Sequence, residues 1–77
     1  MRLKIKYFGL LAEIAKCDEE TFEFSRSSVS ELLSELYIKY PDLKGKDFKV
    51  AQNLEIVSEE SSITATEIAL LPPFSGG

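Results

Sequence analysis

The sequence predicts one small α+β domain, in which a mixed β-sheet is covered on one face by a single long helix. The first residues alternate between apolar and charged side chains, which is the period of a strand with one buried face. Residues 29–40 place apolar side chains at intervals of three and four, which is the period of an amphipathic helix. Residues 67–71 are apolar at successive positions, which favours a central strand or one covered on both faces.

Length and composition limit what such a domain can do. The chain has 77 residues, of which 44% are hydrophobic and 29% charged, and this ordinary globular mixture argues against disorder. Its net charge of −4 argues against nucleic acid as a partner. With no histidine and a single cysteine, Cys17, the sequence offers no zinc cluster and no histidine general base. We therefore expect a domain that binds or carries something, with no bound cofactor or metal, rather than an enzyme by itself.

No membrane partner is expected either. No apolar run approaches the roughly 20 residues that are needed to cross a bilayer. The chain starts with alternating charged residues instead of a signal peptide, so we expect a cytoplasmic protein.

The first strand has one apolar face. Its inward residues are Leu3, Ile5 and Tyr7, and its outward residues are Arg2, Lys4, Lys6 and Phe8. Gly9 ends this strand, and residues 10–16 follow as a helix of about two turns. A second strand is predicted over residues 21–25, with Phe22 and Phe24 inward. Because the outward charges of the two strands have opposite signs, we expect the strands to pair.

The long helix over residues 29–40 has the clearest local pattern. Ser28 and Glu31 have the spacing of a capping box, in which each side chain accepts a hydrogen bond from the other residue's backbone N–H. One apolar stripe follows along the helix, formed by Val29, Leu32, Leu33, Leu36, Tyr37 and Tyr40. Pro41 is predicted to end the helix. We expect the stripe to pack on the inward side chains of the first, second and last strands.

Short strands complete the sheet. Residues 42–47 form a polar stretch, and two short strands are predicted over residues 48–52 and 55–58, joined at Asn53-Leu54. The final strand over residues 67–71 follows. This order of elements is the layout of a ubiquitin-like β-grasp domain.

The chain then continues into a segment without sheet character. Pro72 and Pro73 lack N–H donors and favour an extended polyproline conformation, so sheet pairing should end there. Gly76 and Gly77 have no side chains and suit a narrow channel. We therefore predict a domain over residues 1–71 and an extended, flexible tail over residues 72–77.

The carboxyl group of Gly77 is the unusual chemical group of the sequence. It is ionised at neutral pH, and a carboxylate must be activated, for example as an acyl-adenylate, before a nucleophile attacks it. The chain has no phosphate-binding loop of its own, so a partner must carry out the activation.

At both ends the sequence resembles the small, sulfur-carrier subunit of molybdopterin synthase, a MoaD-like member of the ubiquitin-like MoaD/ThiS group. The resemblance covers the whole chain. It rests on Tyr7-Phe8-Gly9 with the leucine-rich helix after it, and on residues 67–77. One difference is the turn Thr64-Ala65-Thr66-Glu67, which is one residue shorter than the Asp-Gly-Asp-Glu turn frequent in the family and lacks its glycine.

The resemblance implies a role in molybdenum cofactor biosynthesis. A ubiquitin-activating-like enzyme would adenylate Gly77 with ATP, and a sulfur donor would convert the adenylate to a thiocarboxylate. The tail, formed by Pro72, Pro73, Phe74, Ser75 and Gly76 ahead of Gly77, would enter the large subunit of the synthase. Sulfur would pass there to cyclic pyranopterin monophosphate, in a heterotetramer whose catalytic pocket lies on the large subunit.

A partner surface is predicted beside the tail. Phe8 is the apolar exception on the charged face of the first strand, and Ala69 and Leu71 belong to the last strand. The first and last strands of a β-grasp sheet are neighbours. We therefore predict that these three residues form an exposed apolar patch that binds the partner.

Three other functions stay open at the level of sequence. A sulfur carrier for thiamin synthesis shares the fold and the Gly-Gly end, although Pro72-Pro73 favours the molybdopterin pathway. A ubiquitin-like modifier would join Gly77 to a lysine, and an interaction module would leave the tail idle. A persulfide on Cys17 is disfavoured, because the sequence shows no basic partner for this thiol and no following cysteine of a CxxC motif that would lower its pKa.

Overall fold

The computed structural model describes residues 2–25 and 27–73. Its elements in chain order are β1 (Arg2–Tyr7), α1 (Leu10–Ala15), β2 (Glu19–Glu23), α2 (Val29–Lys39), a 3₁₀ turn (Pro41–Leu43), β3 (Lys49–Gln52), β4 (Glu55–Val57) and β5 (Glu67–Leu71). The strands form one sheet in the order β2-β1-β5-β3-β4. β1 and β5 run parallel, and the other neighbouring strands run antiparallel. The predicted α+β, ubiquitin-like β-grasp fold is confirmed.

β5 is the central strand of this sheet, as predicted. It joins the β1–β2 hairpin to the β3–β4 hairpin, with Ile5 opposite Ile68 and Val50 opposite Leu70. Its inward side chains are buried. The prediction allowed for cover on both faces, but of the outward side chains of β5 Glu67 is exposed and Ala69 and Leu71 are only half-buried, so the second face of the sheet is open.

Helix α2 covers the inward face. It contributes four buried residues to a core that also includes β1, β5 and α1, namely Val29, Leu32, Leu33 and Leu36. The predicted capping box is present, since Ser28 Oγ accepts from the Glu31 N–H at 3.2 Å and Glu31 Oε1 accepts from the Ser28 N–H at 3.1 Å. The helix ends at Lys39, one residue before the predicted end. Helical backbone angles are disfavoured at Tyr40 because Pro41 follows it, and Tyr40 has φ −127°.

The boundaries of the first three elements differ from the prediction by one or two residues. β1 ends at Tyr7, and α1 ends at Ala15. β2 spans Glu19–Glu23 and not residues 21–25, because its extent is fixed by pairing along the whole of β1. Phe24 lies beyond the strand but is buried as predicted.

Two connecting segments contribute to the core, one of them within the stretch that was predicted as polar. Leu43, in the 3₁₀ turn, has no exposed surface, and its N–H donates to the Tyr40 carbonyl at 3.0 Å. Ile63 is also buried, and its N–H donates to the Ser27 carbonyl at 2.7 Å. Gln52 holds the same loop, because its amide donates to the Ser62 carbonyl at 2.8 Å and accepts from the Thr64 N–H at 3.0 Å.

The helices are short. In the part of the chain that the structure describes, neither is long and apolar enough to span a membrane.

Candidate functional site

The tail leaves the domain where β5 ends, beside the end of β1. Tyr7 is opposite Leu70 in the parallel pair, and the Phe8 N–H donates to the Leu70 carbonyl at 3.3 Å. Pairing of β5 stops at Leu71, as the two prolines predict. Pro72 is half-buried and Pro73 is exposed. Three of the predicted insertion residues, Phe74, Ser75 and Gly76, and the predicted carrier residue Gly77 lie outside the described residues.

Gly9 fixes the position of this tail root. Its backbone has φ +58° and ψ −134°, a conformation that side chains with a Cβ rarely adopt. A Cβ at this position would lie 3.2 Å from Cγ of Pro72. The turn between β1 and α1 therefore lies close to the first residue of the tail, and a Cβ at position 9 would require the Pro72 ring to shift.

An apolar groove crosses the open face of the sheet from the tail root. It has a volume of about 390 Å³, and its apolar lining residues are Phe8, Ala51, Leu54, Ile56, Ala69 and Leu71. The structure thus brings together the three residues that were predicted as a partner surface, Phe8, Ala69 and Leu71. Their role in binding stays a prediction.

Leu54 and Ile56 were not identified from the sequence. Ile56 lies opposite Ala51 and is 55% exposed, and Leu54 is at the tip of the β3–β4 hairpin. β4 has only three residues, which are too few to show the alternation of apolar and polar side chains that marks one face of a strand. The apolar residue at a turn position was the available signal, since such positions usually carry glycine or a polar residue.

Beside the groove, the open face carries the charged side chains of β1 and its neighbours. Among the described residues three exposed ion pairs lie on this face: Arg2 with Glu23 at 3.7 Å, Lys4 with Glu19 at 3.6 Å, and, at the border of the groove, Lys6 with Glu67 at 3.4 Å. This agrees with the prediction that the basic residues of the first strand form a solvated face next to an acidic strand. Such pairs contribute about 0–1 kcal/mol each, so they organise the surface more than they stabilise it. The open face is therefore divided into a charge-paired half and an apolar half.

The sequence matches a known family over almost its whole length. Residues 5–77 match the ThiS family. The chain belongs to the ThiS family.

Individual relatives agree with this membership. The chain is 34% identical over 83 residues to the molybdopterin synthase sulfur carrier subunit of Chlamydomonas reinhardtii, and the match covers 100% of both chains. Its fold is similar to that of a putative molybdopterin converting factor, subunit 1, from Pyrococcus furiosus, with TM-score 0.86, 23% identity and coverage of 96% of this chain and 99% of the other. It is also similar to small archaeal modifier protein 1 from Methanosarcina acetivorans, with TM-score 0.78, 28% identity and coverage of 99% and 96%. The resemblance inferred from the two ends of the sequence is confirmed.

This ThiS-family chain also has a polar cluster on the inward face of β2. Glu20 Oε2 accepts from the Tyr7 hydroxyl at 2.5 Å and from the Tyr40 hydroxyl at 2.6 Å, and Glu20 Oε1 accepts from Lys39 Nζ at 2.7 Å. Burial disfavours the ionised carboxylate, but the hydrogen bonds from Lys39, Tyr40 and Tyr7 outweigh it and lower the pKa of Glu20.

The two tyrosines of this cluster stay protonated at neutral pH. Burial and the hydrogen bond to Glu20 raise the pKa of Tyr7 and also that of Tyr40. Each polar group of the cluster is already engaged by another, so the cluster connects the end of α2 to β1 and β2 instead of presenting a reactive group. The sequence placed Tyr40 in the apolar stripe of the helix, and Glu20 was not identified from it.

Cys17 is the remaining candidate nucleophile of this ThiS-family chain. Its thiol is half-buried and free. Burial, and then the nearby charge of Glu20, raise its pKa, which reduces the thiolate fraction at neutral pH. Across residues 2–25 and 27–73, no three histidine, cysteine or acidic side chains are placed to hold a metal ion. The nearby charge of Lys39 lowers the pKa of the Cys17 thiol, but the net effect of its surroundings is to raise it.

Proposed function

We propose that this chain is the sulfur-carrying small subunit of a molybdopterin synthase. The observation that carries the proposal is the full-length similarity to a molybdopterin synthase sulfur carrier subunit. The geometry supports it, because the tail starts at one end of an exposed apolar groove, where a partner that takes the tail would also contact the domain. The chain is not an enzyme by itself in this proposal, since the catalytic pocket belongs to the large subunit.

The proposed chemistry takes place on Gly77. Its carboxylate oxygen attacks the α-phosphorus of ATP on a ubiquitin-activating-like enzyme, and pyrophosphate leaves. The terminal sulfur of a donor persulfide then attacks the carbonyl carbon of the acyl-adenylate, and AMP leaves with the bonding electrons. A thiol next attacks the donor's own sulfur in the acyl disulfide so formed, which produces a disulfide and releases the transferred sulfur with the S–S bonding electrons. The product is a thiocarboxylate, whose sulfur is a better nucleophile than a carboxylate oxygen. Because the activation consumes ATP, the proposal places it in the cytoplasm.

The domain positions this group for transfer. Pro72 is held against Gly9, so the tail starts from a fixed point, and the rest of the tail inserts into the large subunit. Phe8, Ala69 and Leu71 pack on that subunit around the tail root. The assembly is a heterotetramer of two small and two large subunits. Within it the thiocarboxylate delivers sulfur to cyclic pyranopterin monophosphate, shielded from water.

Intact-protein mass spectrometry tests the proposal. The chain is incubated with its activating enzyme, ATP and a sulfur donor, and then with the large subunit and cyclic pyranopterin monophosphate. We expect the mass change of one oxygen-to-sulfur exchange on Gly77, reversed as molybdopterin forms. Deletion of Gly77 and Gly76→Val should abolish the product, and Ile38→Gln, on the exposed side of α2, serves as the matched control. Normal molybdopterin formation by the tail variants would refute the proposal.

A protein modifier is the second candidate, favoured by the 28% identity to small archaeal modifier protein 1. The activation step would be the same, but the acyl-adenylate would pass to a lysine amine and form an isopeptide bond. In the mass-spectrometry experiment, sulfur loading without turnover in the synthase would favour a thiamin-type carrier. A second assay tests the modifier: conjugates that form in a cell extract supplied with ATP, and that are absent for the Gly77 deletion, would favour that function.

A further inference from the structure

The β3–β4 hairpin places a leucine in an unfavourable backbone conformation. Asn53 and Leu54 form its two-residue connection, with φ +53° and φ +64°. Both central residues of such a turn need positive φ, which is why Asn-Gly is the usual pair. Asparagine tolerates this conformation, but the Cβ of leucine opposes it. The position therefore suits glycine, and this chain has leucine.

Packing within the domain does not account for that leucine. The side chain of Leu54 is 104% exposed, so it contributes nothing to the core. A single exposed apolar residue is ordinary in itself, and Ile38 is one on α2 at 81% exposure. Leu54 differs from Ile38 because it combines exposure with backbone strain and lies on the rim of the apolar groove. Strain that the fold does not need indicates a function outside the folded domain.

Leu54 and the tail root lie at opposite ends of the groove. Lys49 is opposite Leu71 and Ala51 is opposite Ala69, so the turn after β3 lies near the start of β5. The start of β5 at Glu67 is four strand residues, or roughly 13 Å, from Leu71. A partner that contacts both ends therefore covers the whole groove.

We propose that Leu54 is an anchor residue for the adenylating enzyme, inserting into an apolar pocket of that enzyme while Gly77 reaches its nucleotide site. The proposal rests on the proposed function, but only on the activation step that carrier and modifier share. Gly77 is four residues beyond Pro73, at most about 14 Å of chain, so an enzyme acting on its carboxylate must approach the tail root closely. The groove begins at that root.

The charges of the groove fit an apolar occupant. Its two charged lining residues, Lys6 and Glu67, pair with each other at 3.4 Å. Between the tail root and the hairpin tip, the partner therefore meets a mainly apolar surface without net charge, to which Gln52 and Asn53 add uncharged polar groups near the hairpin. Leu54 is the most exposed of the large apolar residues of this groove, so it has the most surface to bury in a complex.

The test is ATP–pyrophosphate exchange by the adenylating enzyme, with the full chain as the varied substrate. For Leu54→Asn, which keeps a residue that tolerates positive φ, we expect KM for the chain to rise about tenfold or more with kcat unchanged, because a buried leucine is lost from the complex. Leu54→Gly should raise KM similarly while raising the melting temperature, since the strain is relieved. Leu54→Met should keep KM within about twofold of wild type. Ile38→Gln is the matched control and should leave KM unchanged.

For Leu54→Gly we expect weaker binding together with a higher melting temperature. This combination separates a binding role from a structural one, because replacing a purely structural leucine would not weaken binding while stabilising the fold. An unchanged KM for Leu54→Asn and Leu54→Gly, with wild-type chain active, would overturn this inference and leave the proposed function standing. No exchange with wild-type chain would overturn both. A dimer of the wild-type chain that Leu54→Asn dissociates, with KM unchanged, would assign the residue to self-association and also overturn the inference.

Discussion

Gly9→Ala should destabilise the domain and move the root of the tail. The added Cβ meets a backbone with φ +58° and ψ −134°, where residues other than glycine cost about 1–3 kcal/mol. It also comes 3.2 Å from Cγ of Pro72, closer than the roughly 3.5–4.0 Å of an unstrained carbon–carbon contact, so the proline ring must shift. We expect the free energy of unfolding to fall by about 2 kcal/mol. For a domain of this size the melting temperature should fall by roughly 12 °C.

Gly45→Ala is the matched control. Gly45 also has positive φ, at +95°, and lines a groove together with Pro72 and Pro73, but no heavy atom lies within 4 Å of an added Cβ, so the substitution does not push on the tail. Both variants should melt earlier in thermal circular dichroism. At a temperature where both are folded, Gly9→Ala alone should slow sulfur loading, because it displaces Pro72. An unchanged melting temperature for Gly9→Ala, or an equal loss of loading in both variants, would refute the reasoning.

Three further predictions concern stability and can be measured by urea denaturation. Glu20→Gln should lower the free energy of unfolding by about 1.5–3 kcal/mol above pH 5. Because the pKa of Glu20 is lower in the folded state, its stabilising contribution is present above the unfolded pKa and is lost as pH falls through the folded pKa. The variant should therefore lose less stability in acid than the wild type, and an identical pH profile would count against this. Ser28→Ala should lower the free energy of unfolding by about 1 kcal/mol, because it removes the helix cap. The control Ser34→Ala removes only a hydrogen bond from a hydroxyl to the Ser30 carbonyl within the helix and should be close to neutral. Equal losses of stability would contradict the capping argument. Leu43→Ala should cost about 2–5 kcal/mol because the side chain is fully buried, and a cost below 1 kcal/mol would remove Leu43 from the core.

The elements that were predicted closely carry their information locally. Helix α2 has a cap, a stripe and a proline stop within a few turns, and its observed limits differ by one residue. The limits of β5 agree because a proline follows directly and the apolar run is continuous. In these segments the residues that decide the conformation are near neighbours in sequence.

Features decided by distant partners were missed. Glu20 points inward although it is acidic, because the hydroxyls of Tyr7 and Tyr40 and the amine of Lys39 compensate its burial. Those partners are 13 to 20 residues away in sequence. Leu43 and Ile63 are single apolar residues in polar segments, so no periodicity marks them. Their burial follows from how the chain closes over the core.

The candidate site shows the same division. Phe8 and Leu71 were predicted as neighbours because β-grasp topology places the first and last strands together, and the parallel pair does so. Leu54 and Ile56 lie on a hairpin whose register no local pattern specifies, and so the far half of the groove was not anticipated.

The central position of β5 determines how the domain resists force applied to the tail. A pull along Pro72 acts in line with a strand that is hydrogen-bonded to β1 on one side and β3 on the other. Such a load is in shear, so many backbone hydrogen bonds must rupture together instead of opening one after another. A partner that binds the tail tightly therefore transmits force to the whole sheet through β5. We therefore expect tension on the tail to dissociate the partner before it unfolds the domain.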